Sequence, residues 1–149
     1  MCGYIFLKSN IKKDHDSIKN TITKIENRGP DETNIIKLKD KTLVHTRLSI
    51  VDINNGSQPM QASKDDINYW ILFNGEIYNH IELKNKLKGK YKFKTNCDTE
   101  ILLASYLVWG EKCLNKIIGM YSFVIVSNSD EIFCARDLTG QKPLFYSFN

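Results

Sequence analysis

Cys2, in Met1-Cys2-Gly3-Tyr4-Ile5-Phe6, has an unusual chemical option. A small residue after an initiator methionine permits removal of Met1, which leaves one residue carrying both a thiol and a free α-amine. The amine titrates near pH ~8 and the thiol near ~8.5. Directly or through a water, the amine can therefore take the thiol proton with no histidine present. Taken alone, such a cysteine reads more simply as a small apolar residue opening a strand.

Other polar groups recur in compact motifs. The chain has eighteen lysines but three arginines, Arg28 in Arg28-Gly29-Pro30-Asp31, Arg47 in the run HTRLSIVD (45–52) and Arg136 in Ala135-Arg136-Asp137. Planar, bidentate guanidinium groups suit fixed carboxylate or backbone geometry; three structural ion pairs would explain them equally well. Asn74-Gly75-Glu76 follows an apolar run. An asparagine amide beside a glycine N–H can form an oxyanion hole, although Asn-Gly taken alone reads first as a hairpin turn. Asp98, in Asn96-Cys97-Asp98-Thr99-Glu100, either caps a helix or holds a substrate ammonium group. Lys90, Lys92 and Lys94 alternate with Tyr91 and Phe93. That period of two describes a strand with aromatics inward and a solvated lysine face better than a nucleic-acid surface.

The elements that must position these groups alternate in type. A strand is expected over 4–8, then a helix capped by Asp14 or Asp16 that places Ile18, Ile22 and Ile25 on one face and ends before Gly29. Strands follow over 34–38, 42–47 and 69–73. A helix over 79–88 carries Leu83 and Leu87, and a stronger one over 98–109 stacks Ile101, Ala104, Leu107 and Val108 before Gly110 stops it. The last strands, 120–126, 131–135 and 144–148, are apolar on both faces or nearly so. They need cover above and below, which implies packed sheets flanked by helices.

With 149 residues, 42% hydrophobic, the chain fits one domain with a core of its own. No apolar stretch approaches the ~20 residues that span a bilayer, and the start has no leader pattern. A cytoplasmic protein with no membrane partner is expected. Cys2, Cys97, Cys113 and Cys134 form no CxxC pair, so reduced thiols and no metal site are expected, with Cys113 and Cys134 as buried small hydrophobes.

Together the motifs resemble the glutaminase domain of class II glutamine amidotransferases, which are N-terminal nucleophile hydrolases, and most closely the asparagine synthetase branch. The matching residues are Met1-Cys2-Gly3, RGPD (28–31), HTRLSIVD (45–52), Gly56-Ser57-Gln58-Pro59, NGEIYNH (74–80), CDTE (97–100), Gly119-Met120, and Arg136-Asp137 through Gly140 to PLFY (143–146). They run in family order over almost the whole chain, 1–149.

The resemblance implies an α+β fold, a four-layer αββα sandwich of N-terminal nucleophile hydrolase type, incomplete at its C-terminus. It implies hydrolysis of L-glutamine to glutamate and ammonia, with Cys2, Asn74 and Gly75 catalytic. Arg47, Leu48, Ser49, Ile50, Val51, Asn74, Gly75, Glu76 and Asp98 would bind the substrate. No cofactor is implied in this domain. ATP and Mg belong to a synthetase domain absent from the chain, since nothing here matches its pyrophosphate loop or a Walker-type loop. That domain or subunit would be the partner that accepts ammonia, and nucleic acid is not expected as one. Two departures stand out: Asn27 precedes RGPD where the family usually has histidine, and further strands of the domain are missing. Exposed sheet edges are expected where those strands would pair, with a homodimer or low solubility as the consequence. A catalytically silent module that binds glutamine or a partner shares the same fold and pocket, and retention of Met1 would favour it.

Overall fold

The computed structural model describes residues 2–9, 15–49 and 55–148. Two antiparallel sheets lie at its centre. In the first, β1 (Gly3–Lys8) and β2 (Glu32–Lys37) flank β3 (Lys41–Arg47); in the second, β4 (Met60–Lys64), β5 (Ile67–Ile77), β6 (Gly119–Ser127) and β7 (Ile132–Arg136) pair in sequence order. Helix α1 (His15–Ile22) brings Ile18 and Ile22 beside Ile35 of β2. Helices α2 (His80–Leu87) and α3 (Asp98–Trp109) cover the second sheet through Leu83, Leu87 and Ile101. The layers therefore run helix, sheet, sheet, helices, which is the αββα sandwich expected from the sequence.

The period of two along β5 explains why the two sheets stack. Trp70 and Leu72 face the first sheet, where they join Leu43, Val124 and Val126. Ile71 and Phe73 face the helices and join Ile101, Leu102 and Phe123. Leu43 and Leu72 are fully buried, and each such side chain contributes about 1.5–3 kcal/mol. Helix α3 is buried from Asp98 through Leu107, not on one face alone. Its outer side is covered by α2 and by Tyr91 and Phe93.

Four local expectations are corrected. Asn74-Gly75 is no hairpin turn, because β5 runs on to Ile77 and its pairing with β6 continues through Asn74↔Ser122, Gly75↔Tyr121 and Glu76↔Met120. The segment 90–94 alternates as expected, with the aromatics packed inward and Lys92 and Lys94 exposed, but it is no strand. The N–H groups of Lys94 and Thr95 go instead to the Glu100 carboxylate, at 2.9 and 2.7 Å. Residues 144–148 form no strand either: Leu144 packs between the sheets while Phe145, Tyr146 and Phe148 are exposed. Cys134 is exposed on β7, whereas Cys113 is fully buried, as expected.

Strand β4 has no counterpart in the sequence reading. It pairs with β5 through a tight turn at Asp65 and Asp66, both in the left-handed region (φ 49° and 63°), the geometry of a type I′ hairpin built without the Asn-Gly signal. Helix α1 stops at Ile22, and a separate 3-10 turn, Glu26–Arg28, leads to Gly29. Asp14, the proposed cap, lies outside the described residues, as does the side chain of Asp16.

Candidate active site

Cys2 immediately precedes β1 and lines the cleft beside Asn74 and Gly75 of the second sheet, the sheet that Tyr4 and Phe6 also face. Arg28 donates its Nε–H to the Cys2 carbonyl at 3.2 Å. The Leu48 N–H lies 3.4 Å from the Cys2 sulfur, and the Leu48 carbonyl 3.7 Å from it. The thiol is thus gripped by the chain leaving β3. That chain is tied down in turn by Asp31, whose N–H donates to the Arg47 carbonyl at 3.0 Å and whose Oδ2 accepts the Ser49 N–H at 2.7 Å. Gly29 makes the approach feasible, because a Cβ there would collide with the backbone of Thr46 and Arg47. The arginine and aspartate of RGPD therefore act as a brace between the start of the chain and the 47–49 segment, and among the described residues they form no ion pair with each other.

Arg47, at the end of β3, is buried, with Nη1 3.7 Å from the Glu32 carboxylate. The Ser57 hydroxyl above all, with Asn34 and Arg47 adding to it, holds the Glu32 carboxyl below its ordinary value. Asn34 Nδ2 also donates to the Gln58 carbonyl at 2.9 Å, which connects the two sheets beside Arg47.

The edge of β5 supplies the opposite wall. Tyr121 pairs with Gly75 but spends both its N–H and its carbonyl on Asp137, at 3.2 and 2.8 Å. Gly75 is consequently in a non-hydrogen-bonded pair, and its N–H points away from β6. On that outward edge the Phe73 N–H is taken by Gln58 Oε1 at 2.7 Å and the Ile77 N–H by Asp98 Oδ2 at 3.1 Å. The Gly75 N–H lies between them, on the side of the strand that lines a cleft of about 110 Å³. A Cβ at Gly75 would strike the Met120 carbonyl and the Tyr121 backbone, so the close strand approach requires glycine.

Asp98 begins α3, yet its carboxylate reaches across to β5 and does not cap its own helix as the N-cap residue, a position held by Cys97. Burial raises its pKa, with the Ile77 N–H working against the rise. Burial penalises the Asp98 carboxylate, and a positively charged ligand in the cleft would offset that penalty.

Seven of the residues expected from the sequence, Cys2, Arg47, Leu48, Asn74, Gly75, Glu76 and Asp98, line this one cleft. Ser49 is not among its walls, and its N–H serves the Asp31 brace. Ile50 and Val51 lie outside the described residues. The sequence reading missed Gln58, Thr99, Met120 and Lys142, which also border the cleft. Gln58 and Lys142 sit inside motifs quoted above, GSQP and the segment before PLFY; an amide or a lysine by itself carries no chemical signature. Lys142 is placed by Asp137, which accepts the N–H groups of Gln141 and Lys142 at 2.8 and 3.0 Å. Burial opposes the Asp137 charge, but those donors hold its carboxyl well below the usual carboxylate range.

A cleft that offers a thiol, a guanidinium, a buried carboxylate and amide donors suits a small zwitterion with an electrophilic carbonyl carbon. Comparison with known proteins points the same way. A sequence profile of the glutamine amidotransferase domain matches residues 1–149. Asparagine synthetase [glutamine-hydrolyzing] 1 of Bacillus subtilis is 42% identical over 99% of this chain and 24% of its own length. A probable asparagine synthetase [glutamine-hydrolyzing] of Schizosaccharomyces pombe is 36% identical over 100% of this chain and 27% of its own. The chain thus spans about a quarter of the length of these curated relatives. Among solved structures, glutamine phosphoribosylpyrophosphate amidotransferase from B. subtilis superposes with a TM-score of 0.55 at 25% identity, over 68% of this chain and 24% of that one. With the cleft geometry, the full-length profile match and the shared fold in agreement, the chain belongs to the glutamine amidotransferase domain family.

Proposed function

We propose that the chain hydrolyses L-glutamine to glutamate and ammonia, with Cys2 as nucleophile once Met1 is removed. The freed α-amine takes the thiol proton, and the thiolate attacks the side-chain amide carbon. The tetrahedral oxyanion is held by the Asn74 amide and the Gly75 N–H, each worth about 3 kcal/mol in sites of this kind. The protonated amine then passes its proton to the leaving nitrogen, the C–N bond breaks, and ammonia departs from a thioester that water hydrolyses to glutamate. Arg47 holds the substrate α-carboxylate, and Asp98, with Glu76, holds its α-ammonium group. Leu48 lines the pocket, and the 48–51 segment, Ser49, Ile50 and Val51 included, frames it. The chemistry draws on side chains and backbone alone, with no cofactor in this domain.

The observation that carries the reading is the convergence on one cleft of the Cys2 thiol, the outward edge of β5 and the buried Asp98 carboxylate. The curated relatives are named asparagine synthetases, which supports asparagine synthesis in a synthetase domain or subunit as the use of the ammonia; the family resemblance adds aspartate as acceptor and ATP and Mg in that domain. A cytoplasmic setting, with homodimers forming through sheet edges, completes the proposal. The test is glutamate release from L-glutamine by wild type beside Cys2→Ala. Activity that disappears in the variant supports the assignment; equal activity in both refutes it, and a folded, Met1-free wild type without activity favours a silent glutamine-binding module.

A further inference from the structure

Strand β4 pairs with β5 from Met60↔Ile71 to Lys64↔Ile67. Two more residues of that register would set residue 58 opposite Phe73, but β4 begins only at Met60. The outward edge of β5 therefore loses its strand partner just before Asn74, where its backbone groups still need hydrogen bonds. Side chains replace the missing strand. Gln58 Oε1 accepts the Phe73 N–H at 2.7 Å, and His45 Nε2 lies 3.2 Å from the Phe73 carbonyl. The other end of the Gln58 amide donates to Thr99 Oγ1 at 3.3 Å, one residue after Asp98. Gln58 and His45 are 5% and 1% exposed, so water does not compete for these bonds.

Resting on the glutaminase reading above, we propose that Gln58, with His45 opposite it, is a positioning residue: it clamps the Phe73 peptide, so that the Asn74 amide and Gly75 N–H are held at the oxyanion, and ties that strand to the start of α3. A main-chain partner at this point would have continued the sheet over Gly75 and covered its N–H. A side-chain partner satisfies Phe73 and lets the next donor face the cleft.

Gln58→Met keeps the length of the side chain and removes the acceptor and the donor, whereas Gln58→Glu keeps an acceptor oxygen for Phe73. Both are made in the full chain and assayed for glutamate release, for alkylation of Cys2 by iodoacetamide, which needs no oxyanion hole, and for amide hydrogen exchange. In Gln58→Met, kcat falls on the order of 10- to 100-fold, KM for glutamine changes by less than about threefold, and alkylation keeps its wild-type rate. Exchange at Phe73 and Gly75 accelerates in the same variant, and Gln58→Glu recovers most of kcat. Unchanged kcat and exchange in Gln58→Met, or kcat and alkylation falling together, overturns the proposal. An inactive wild type instead overturns the glutaminase reading, and the exchange measurement still decides the clamp.

Discussion

Replacing Asp98 by Asn separates what the site does for substrate from what it costs the fold. The carboxylate is 6% exposed and, beside the Cys97 thiol and the Thr99 N–H, accepts its chief hydrogen bond from the Ile77 N–H. Asparagine keeps an oxygen for that bond and removes the charge. A hydrogen bond to a charged group is worth about 1.5–3 kcal/mol, so loss of the pairing with a substrate ammonium raises KM for glutamine about 10- to 150-fold, with kcat changed far less. Stability moves the other way. Burial raises the Asp98 pKa in the folded protein, so its favourable contribution is complete below the unfolded value near ~3.9 and is lost as pH rises through the folded value. At pH 7 the wild type carries a penalised charge that the variant lacks. Asp98→Asn therefore melts at or above the wild-type temperature at neutral pH, and the difference closes as pH falls toward 4. Glutamine saturation curves and thermal melts across pH measure both effects. A variant with unchanged KM and a lowered melting temperature would refute the reasoning, since Asp98 would then be a purely structural acceptor.

Arg47→Lys replaces a planar fork with a point charge; steady-state kinetics should show KM for glutamine raised about tenfold or more while kcat is largely kept. Gly75→Ala drives a methyl into the Met120 carbonyl and should cost at least about 1–3 kcal/mol in urea unfolding, with glutamate release lost even in the folded fraction. Burial pushes the His45 pKa down from 6.5 to about 4, the Phe73 carbonyl opposing the change. Its stabilising contribution is present above ~6.5 and lost as pH falls to about 4, a span worth about 3 kcal/mol. His45→Gln should flatten the fall in denaturant midpoint between those pH values, and an unaltered profile would count against a neutral buried imidazole.

Much of the site was legible because its chemistry depends on residue types that are scarce or distinctive in sequence. Cys2 next to a removable methionine, three rationed arginines and Asp98 at a helix start all pointed to polar work. The roles of Arg28 and Asp31 were not legible, because a brace to the Cys2 carbonyl and the Ser49 N–H depends on chain segments that meet only in the folded state. Strand β4 escaped notice because Met60, Gln61, Ala62, Ser63 and Lys64 lack β-branched and aromatic residues. Its partner β5 and the Asp65-Asp66 turn impose the extended form. Segment 144–148 has strand composition, but among the described residues it pairs with no strand.

Asn74-Gly75 marks the limit of local reading. The sequence by itself determined the alternating elements and the identities of the reactive groups, but of the three strands read as two-sided only β6 is buried on both faces, β7 exposing alternate residues. Only the tertiary structure decided that this dipeptide continues a strand, because Tyr121 turns its own N–H and carbonyl to Asp137 and leaves Gly75 facing outward. Whether an Asn-Gly pair bends or extends depends on which distant groups satisfy the backbone around it, and hydrogen bonds between strands are set by pairing in space, not by neighbours in the chain.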